Sequence, residues 1–287
     1  MIPDFDNQLY KLIDNALQED VGDGDHSTLC CIPADAKGKA VLKIKQEGIL
    51  AGLDVAEKIF RHQYPAAVFT RFKADGDAMT VGEKAFEVDA PVHTILQCER
   101  LVLNCMQRMS GIATLTRSYT ELLEGYQTKL LDTRKTTPNF RLLEKEAVRI
   151  GGGVNHRFGL FDMIMLKDNH IDYAGGIEAA VERAADYVQR YRPDLKIEVE
   201  TRSLDDVRTV LRIGGGKVFR VMLDNFTPQL VKEAVDLIGG TFETEASGGI
   251  NRDTIRDYAA AGVDYVSVGG LIHQAQSLDL SLKAVVV

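Results

Sequence analysis

From about Lys129 onward, six short apolar runs alternate with segments of helical periodicity. The runs are KLLDTRK, DMIMLKDN, KIEVET, RVMLDN, TFETEAS and DYVSVGG. Between them lie segments such as IEAAVERAADYVQRYR, LDDVRTVLRIGG, PQLVKEAVDLIGG and DTIRDYAAAG, several of which end at glycine, a common helix stop. A helix between two strands returns the chain to the same end, so such strands pair in parallel and are covered on their faces. Six or more such units favour a βα barrel, although six strands alone leave a doubly wound open sheet possible. Each strand is expected to be apolar through its middle and polar where it exits.

The first ~110 residues follow another rhythm. DNQLYKLIDNALQED and LDVAEKIFRHQY have helical periodicity, and KAVLKIKQEGILAG alternates as a strand does. AVFTRFKADGDAMTVGEKAFEVDAP holds short strands around Asp-Gly and Val-Gly turns, and a long helix is predicted from Val92 to about Arg117. The chain of 287 residues therefore divides into a smaller mixed module and a larger βα module.

The formal net charge of −8 excludes general nucleic-acid affinity, which needs a basic face. It also makes any local cluster of cations informative. The N-terminus MIPDFDNQLYKLID has no apolar signal core and no run is long enough to cross a bilayer, so a cytoplasmic protein is expected. Cys30, Cys31, Cys98 and Cys105 lack metal-ligand spacing and are expected to be buried free thiols.

Strand exits carry the chemistry. They present Arg134 and Lys135, then Lys167 and Asp168, Glu200, Asp224, Glu245 with Ser247, and finally Gly269 with Gly270. In a βα barrel these exits converge on one mouth. Arg134, Lys135, His156, Arg157 and Lys167 would crowd there, which is costly unless an anion compensates. Arg offers bidentate donors to carboxylate or phosphate, so a substrate with more than one acid group is expected. ASGGI and SVGGL follow the last two strands, where backbone N–H groups commonly hold a phosphate. Glu200 and Asp224 could hold Mg²⁺, bind ribose hydroxyls, stabilise positive charge or orient the lysines.

Two motifs do not carry through. DVGDGD resembles a calcium loop, but its twelfth position is Cys31 rather than Glu, so a turn is expected, with Ser27 and Thr28 as helix-cap candidates. The FKADGDAMTVGEKAFEV segment lacks a carrier-domain lysine tip and is expected to be plain β structure. His62 and His93 are expected to serve as surface or packing residues.

LLDTRKTTP, GGGVNHRFGLFDMIMLKDNHI, EVET, VMLDNF, EASGGI and DYVSVGGLIH occur in this order, with EDVGDGDHST and CERLVLNCMQRMSGIAT before them. Together they closely resemble the quinolinate phosphoribosyltransferase family (nicotinate-nucleotide pyrophosphorylase, carboxylating) over nearly the whole chain. Asn139, where the family more often has glycine, and a slightly longer segment around RIGGGKVF are the departures. The resemblance implies an incomplete, open βα barrel, residues 113–273, after an α+β N-terminal domain, residues 1–112, joined by the tail 274–287. It implies transfer of phosphoribosyl from phosphoribosyl pyrophosphate to quinolinate, with release of pyrophosphate and CO₂, in NAD synthesis. Arg100, Arg134, His156 and Arg157, with Lys167 nearby, would grip the two quinolinate carboxylates, and Thr133 would also bind substrate. Lys135 and Lys167 would face pyrophosphate, and Ser247, Gly248, Gly249, Gly269 and Gly270 the 5′-phosphate. Glu200 and Asp224 would bind ribose and Mg²⁺, acting in catalysis with Lys135 and Lys167. A homodimer, or a multiple of dimers, is also implied, with Arg100 completing the neighbour's site. A phosphoribosyltransferase for a monocarboxylate, a Schiff-base aldolase using Lys135 or Lys167, and a non-catalytic phosphate sensor are the alternatives.

Overall fold

The computed structural model describes residues 4–285. The first part of the chain runs α1 (Phe5–Val21), α2 (His26–Cys31), β1 (Lys37–Ile44), β2 (Gly48–Ile49), α3 (Leu53–Gln63), β3 (Val68–Arg71), β4 (Ala78–Met79), β5 (Lys84–Pro91) and α4 (Val92–Thr120). It continues as β6 (Lys129–Leu131), α5 (Arg141–Ile150), β7 (Ile164–Leu166), α6 (Asp168–Ala174), α7 (Ile177–Tyr191), β8 (Ile197–Thr201), α8 (Leu204–Ile213) and β9 (Arg220–Asp224). The last elements are α9 (Pro228–Ile238), β10 (Glu243–Ser247), α10 (Ile255–Ala260), β11 (Tyr265–Ser267), α11 (Gly270–His273) and β12 (Leu280–Val285). Two compact units result. One takes the chain through Arg117, the segment Thr136–Gly152 and the stretch from Leu271 onward; the other holds Ser118–Lys135 and Gly153–Gly270.

The first unit is built on a four-stranded sheet ordered β12-β1-β5-β3, whose pairs are antiparallel. Its alternation is visible in β5, where Phe86 and Val88 are fully buried while Glu87 and Asp89 are not. Phe60 of α3 and Phe69 of β3 close on Phe86, with the Phe69 and Phe86 rings stacked 4.4 Å apart. Gly52 precedes α3 at φ +97°, and its missing side-chain cap is supplied from a distance. The Asp75 carboxylate accepts the N–H groups of Leu53 (2.8 Å) and Asp54 (3.2 Å).

The long helix α4 ties the C-terminal segment down within this unit. Arg108 donates to the carbonyls of Ile272 (2.8 Å) and Ala275 (2.6 Å), and to the fully buried Glu144 (2.9 Å). Gly111 has no substitute there, because a Cβ would stand 1.9 Å from the Gln276 carbonyl oxygen. Asn139 sits at φ +63°, a left-handed conformation that glycine adopts freely and asparagine tolerates best among the other residues. Asparagine at this position therefore meets the conformational demand that glycine would meet.

The second unit is a six-stranded parallel sheet ordered β6-β11-β10-β9-β8-β7, and a bridge from Leu131 to Val154 extends it beyond β6. The α/β class with a parallel sheet and a smaller α+β part is thus as expected. Strand interiors differ from expectation. Ile197, Val199, Val221 and Leu223 are buried apolar residues, but the alternate positions carry Glu198, Arg220 and Glu245, also buried. Glu245 lies inside β10 with no exposed surface, rather than at its exit.

Two smaller expectations are corrected. Ser27 and Thr28 fall inside α2, and its cap is Asp25, whose carboxylate accepts the Thr28 N–H at 3.1 Å. Cys30 and Cys31 are exposed, because the short α2 buries only Thr28; their sulfurs lie 3.4 Å apart. Cys98 and Cys105 are buried as expected, and burial pushes both thiols up to about 12. Their stabilising preference for the neutral form is complete below the unfolded value of about 9 and is lost as pH rises towards about 12. Titration of native protein with a chromogenic disulfide at pH 8 should therefore modify two thiols, and all four only after denaturation.

Candidate active site

Parallel pairing brings the strand ends to one edge. Ser247 pairs with Asp224 across β10 and β9, and Glu200 lies beside Met222 across β8 and β9. In a parallel sheet, paired residues project from the same face, so Glu200, Asp224 and Ser247 share one. Burial and the nearby Asp224 raise the Glu200 carboxyl, while Lys167, 3.8 Å away, opposes the rise. Lys167 precedes α6 with its side chain about half exposed, and the Asp168 N–H donates to Glu200 at 3.4 Å. Two neighbouring carboxylates on an otherwise open edge are a donor set suited to Mg²⁺, which takes one or two carboxylates and completes its shell with water and phosphate.

The cations enter from the β6 exit and from the Val154–Met163 connection. Arg157 is buried. Its Nη1 donates to the Met163 carbonyl at 3.2 Å, while its Nε is buried without a hydrogen-bond partner among the described residues. Burial, then the nearby Arg134 guanidinium, lowers Arg157 from its ordinary value. Two guanidiniums in mutual repulsion at a strand exit invite a shared anion. Thr133 accepts the Lys135 N–H at 3.1 Å, which shapes the turn that leaves the Lys135 side chain exposed.

The glycine loops have different reasons. Gly248 has φ +100°, and a Cβ there would stand 2.2 Å from Asn225 Oδ1; Gly249 has φ +65° with open space beside it. Asn225, itself at φ +58°, donates its N–H to the Ser247 carbonyl at 2.8 Å. The loop after β10 is thereby locked to the loop after β9. Gly269 follows β11 and Gly270 opens α11.

Beneath this edge lies an unexpected cluster. His156 Nε2 stands 3.1 Å from Glu198 Oε2 and 3.2 Å from Glu245 Oε2. Arg220 reaches Glu245 at 3.2 Å and Glu243 at 2.8 Å, with its guanidinium 4.2 Å from the centre of the Tyr265 ring. Burial opposes charging of His156, but the two carboxylates outweigh it and push the imidazole up to about 9. Burial, then Glu245, raises Glu198 to about 7, whereas His156 and Arg220 overcome burial to lower Glu245. Asp132, buried at the β6 exit, accepts the His156 N–H and the Asn155 side chain, each at 2.8 Å.

Arg134, His156, Arg157, Lys167, Glu200, Asp224, Ser247 and Gly248 thus belong to one unit. Arg100 stands exposed on α4 in the other. Glu198, Arg220 and Asp132 escaped the sequence reading, although Glu198 lies one strand period before Glu200.

Comparison with known proteins follows this geometry. Residues 25–110 match the N-terminal domain and residues 112–283 the C-terminal domain of quinolinate phosphoribosyl transferase. The chain is 42% identical to a chloroplastic nicotinate-nucleotide pyrophosphorylase [carboxylating] of Arabidopsis thaliana, covering 98% of this chain and 83% of that one. It is 40% identical to a probable nicotinate-nucleotide pyrophosphorylase [carboxylating] of Bacillus subtilis (strain 168), covering 96% and 93%. A crystal structure of NadC from Streptococcus pyogenes, 41% identical, aligns over 96% of this chain and 95% of that one with a TM-score of 0.88. Fold and site define a phosphoribosyl-transferring enzyme on a βα scaffold. The chain belongs to the quinolinate phosphoribosyl transferase family.

Removing Arg220 would leave Glu198 and Glu245 with only His156 to balance them. Arg220→Met should lower stability by about 3–5 kcal/mol, the scale for breaking one side of a buried ion network, as measured by urea denaturation.

Proposed function

We propose that this chain transfers the phosphoribosyl group of phosphoribosyl pyrophosphate to quinolinate with decarboxylation, giving nicotinate mononucleotide, pyrophosphate and CO₂ for de novo NAD biosynthesis. The observation that carries this reading is the arrangement along one sheet edge. Acids Glu200 and Asp224 stand there beside Lys167, and the Arg134 and Arg157 pair follows β6 and its Val154 bridge at the far end of the same sheet. Family membership supplies the particular reaction.

The two quinolinate carboxylates meet Arg134, Arg157 and Lys167, with His156 beneath and Thr133 at the rim. This orients the ring nitrogen towards the ribose. Lys135 and Lys167 face the pyrophosphate, while Ser247, Gly248, Gly249, Gly269 and Gly270 hold the 5′-phosphate by backbone and hydroxyl donors. Glu200 and Asp224 bind the ribose hydroxyls and would hold Mg²⁺, which when bound supplies positive charge to the pyrophosphate. The ring nitrogen forms its bond to ribose C1 as the C1–oxygen bond to pyrophosphate breaks. Glu200 and Asp224 favour the positive charge that develops on the sugar, and the lysines the negative charge that leaves it. The carboxylate next to the new pyridinium then departs as CO₂. Its bonding electrons remain on the ring carbon beside the positive nitrogen, and that carbon takes a proton.

A coupled assay for pyrophosphate and CO₂, with and without Mg²⁺, tests the reading. Quinolinate should release both and nicotinate neither; equal turnover of nicotinate without CO₂ would assign a monocarboxylate substrate. Arg134→Ala should raise the quinolinate KM and lower kcat/KM by roughly tenfold or more, as loss of a charged hydrogen bond to substrate does.

The active form is a homodimer, or a multiple of dimers, in the cytoplasm, with Arg100 of one protomer completing the site of its neighbour. What supports this is family resemblance together with the exposure of Arg100 on α4. No helix among the described residues is long and apolar enough to cross a membrane. Arg100→Ala and Lys167→Ala should each be nearly inactive alone. Unfolded together and refolded, they should regain about a quarter of wild-type activity, since each mixed dimer keeps one intact site. No recovery would place Arg100 outside the neighbour's site.

A further inference from the structure

The buried cluster under the mouth has a tautomer written into it. His156 Nδ1 accepts the Arg157 backbone N–H at 2.6 Å, so the neutral ring carries its lone pair on Nδ1 and its proton on Nε2. Nε2 in turn faces Glu198 and Glu245 at 3.1 and 3.2 Å. Both ring nitrogens are thus engaged inside the unit. A protonated Nε2 is also no metal ligand, and the Arg220 guanidinium already stands 3.2 Å from Glu245, where a cation would sit. The three groups therefore form an anchorage.

We propose that Glu245, backed by Arg220, is a positioning residue of the dicarboxylate subsite, acting through His156 on Arg157. The inference rests on the function proposed above. Of the two carboxylates, Glu245 is the fixed one. Arg220 Nη1 donates to its Oε2 at 3.2 Å but stands 3.9 Å from Glu198 Oε2, beyond hydrogen-bond distance. The His156 main chain is pinned separately by Asp132 at 2.8 Å. With the ring held at Nε2, Nδ1 fixes the Arg157 amide, while the Met163 carbonyl takes Nη1 at 3.2 Å. The Arg157 guanidinium is then placed without rotamer search, its buried Nε still without a hydrogen-bond partner among the described residues. His156 thus serves the substrate by setting Arg157 rather than by giving either nitrogen away.

Kinetics of Glu245→Gln and Glu245→Ala test this. Gln keeps an acceptor oxygen for the Nε2 proton and should leave the quinolinate KM within about threefold of wild type. Ala should raise that KM more than about tenfold while the KM for phosphoribosyl pyrophosphate stays constant. Added to His156→Ala, Glu245→Ala should change the quinolinate KM by less than about twofold, because its path has already been removed. A full independent factor in that background, or equal rises in both KM values, would overturn the proposal. Nitrogen-15 NMR of the wild-type imidazoles needs neither variant nor substrate. Recorded above about pH 9, where the imidazole is neutral, it should show His156 with Nδ1 bare and Nε2 protonated, and the opposite tautomer would equally overturn it. An enzyme that turns over no quinolinate yet shows this tautomer would refute the assigned reaction and leave the anchorage standing.

Discussion

Two carboxylates buried side by side must be neutralised where they stand, and in this sheet Arg220 and His156 do that for Glu198 and Glu245. Water is excluded there, so the attraction is strong, but so is the desolvation of each partner. Such a network adds little net stability compared with apolar packing. What it supplies is a fixed set of directions, since His156 and Arg220 both turn towards the same pair of carboxylates. Strand register sets those places, since Glu198 pairs with Arg220 and Arg220 with Glu243 across β8, β9 and β10. The charges are therefore brought together by the same ladder that brings the strand ends to one edge.

That common origin joins the buried layer to the open one above it. Along β8, Glu198 and Glu200 are one strand period apart and share a face; Arg220 and Asp224 do so along β9, as do Glu243, Glu245 and Ser247 along β10. Of the lower members, Glu198, Arg220 and Glu245 are buried and stand in ion pairs with one another and with His156. The upper members, Glu200, Asp224 and Ser247, have partners that a substrate can replace. A shift of one residue in either strand would turn both layers to the apolar face at once. Structure and site are consequently specified by a single register.

Much of this is carried by periodicity in the sequence itself. The βα rhythm, the parallel sheet and the polar exits could be read, because a helix between strands leaves few alternatives and an exit residue is next to its strand in sequence. Buried charge could not. Glu198, Arg220 and Glu245 look like the exposed side of half-buried strands, and nothing local distinguishes an interior lined with ions from a solvated face. The cap of α2 was displaced for a related reason: Asp25, Ser27 and Thr28 all suit a cap, and geometry selects Asp25. The helix α5 also lay outside the reading, since its apolar residues Leu142, Leu143, Ala147 and Val148 mix with buried Glu144 and Lys145. Asn139 shows the converse, a local conformational demand that sequence comparison detected and φ explains.

The cations at the mouth present a final problem of electrostatics in a chain with net charge −8. Arg157 and Lys167 could have been quenched by the plentiful acids of the same chain, as many surface cations here are: Arg71, Arg202, Arg212 and Lys217 all sit in ion pairs. Near the mouth the acids are instead assigned elsewhere. Asp132 is committed to His156 and Asn155, Asp162 to the N–H groups of Phe158 and Gly159, and Glu245 to His156 and Arg220. Lys167 meets Glu200 only at 3.8 Å, beyond hydrogen-bond distance. Withholding compact acid partners from Arg157 and Lys167 keeps their donors available for an incoming diacid. Occupied acids around under-satisfied bases are thus the physical form that preorganisation takes in this fold.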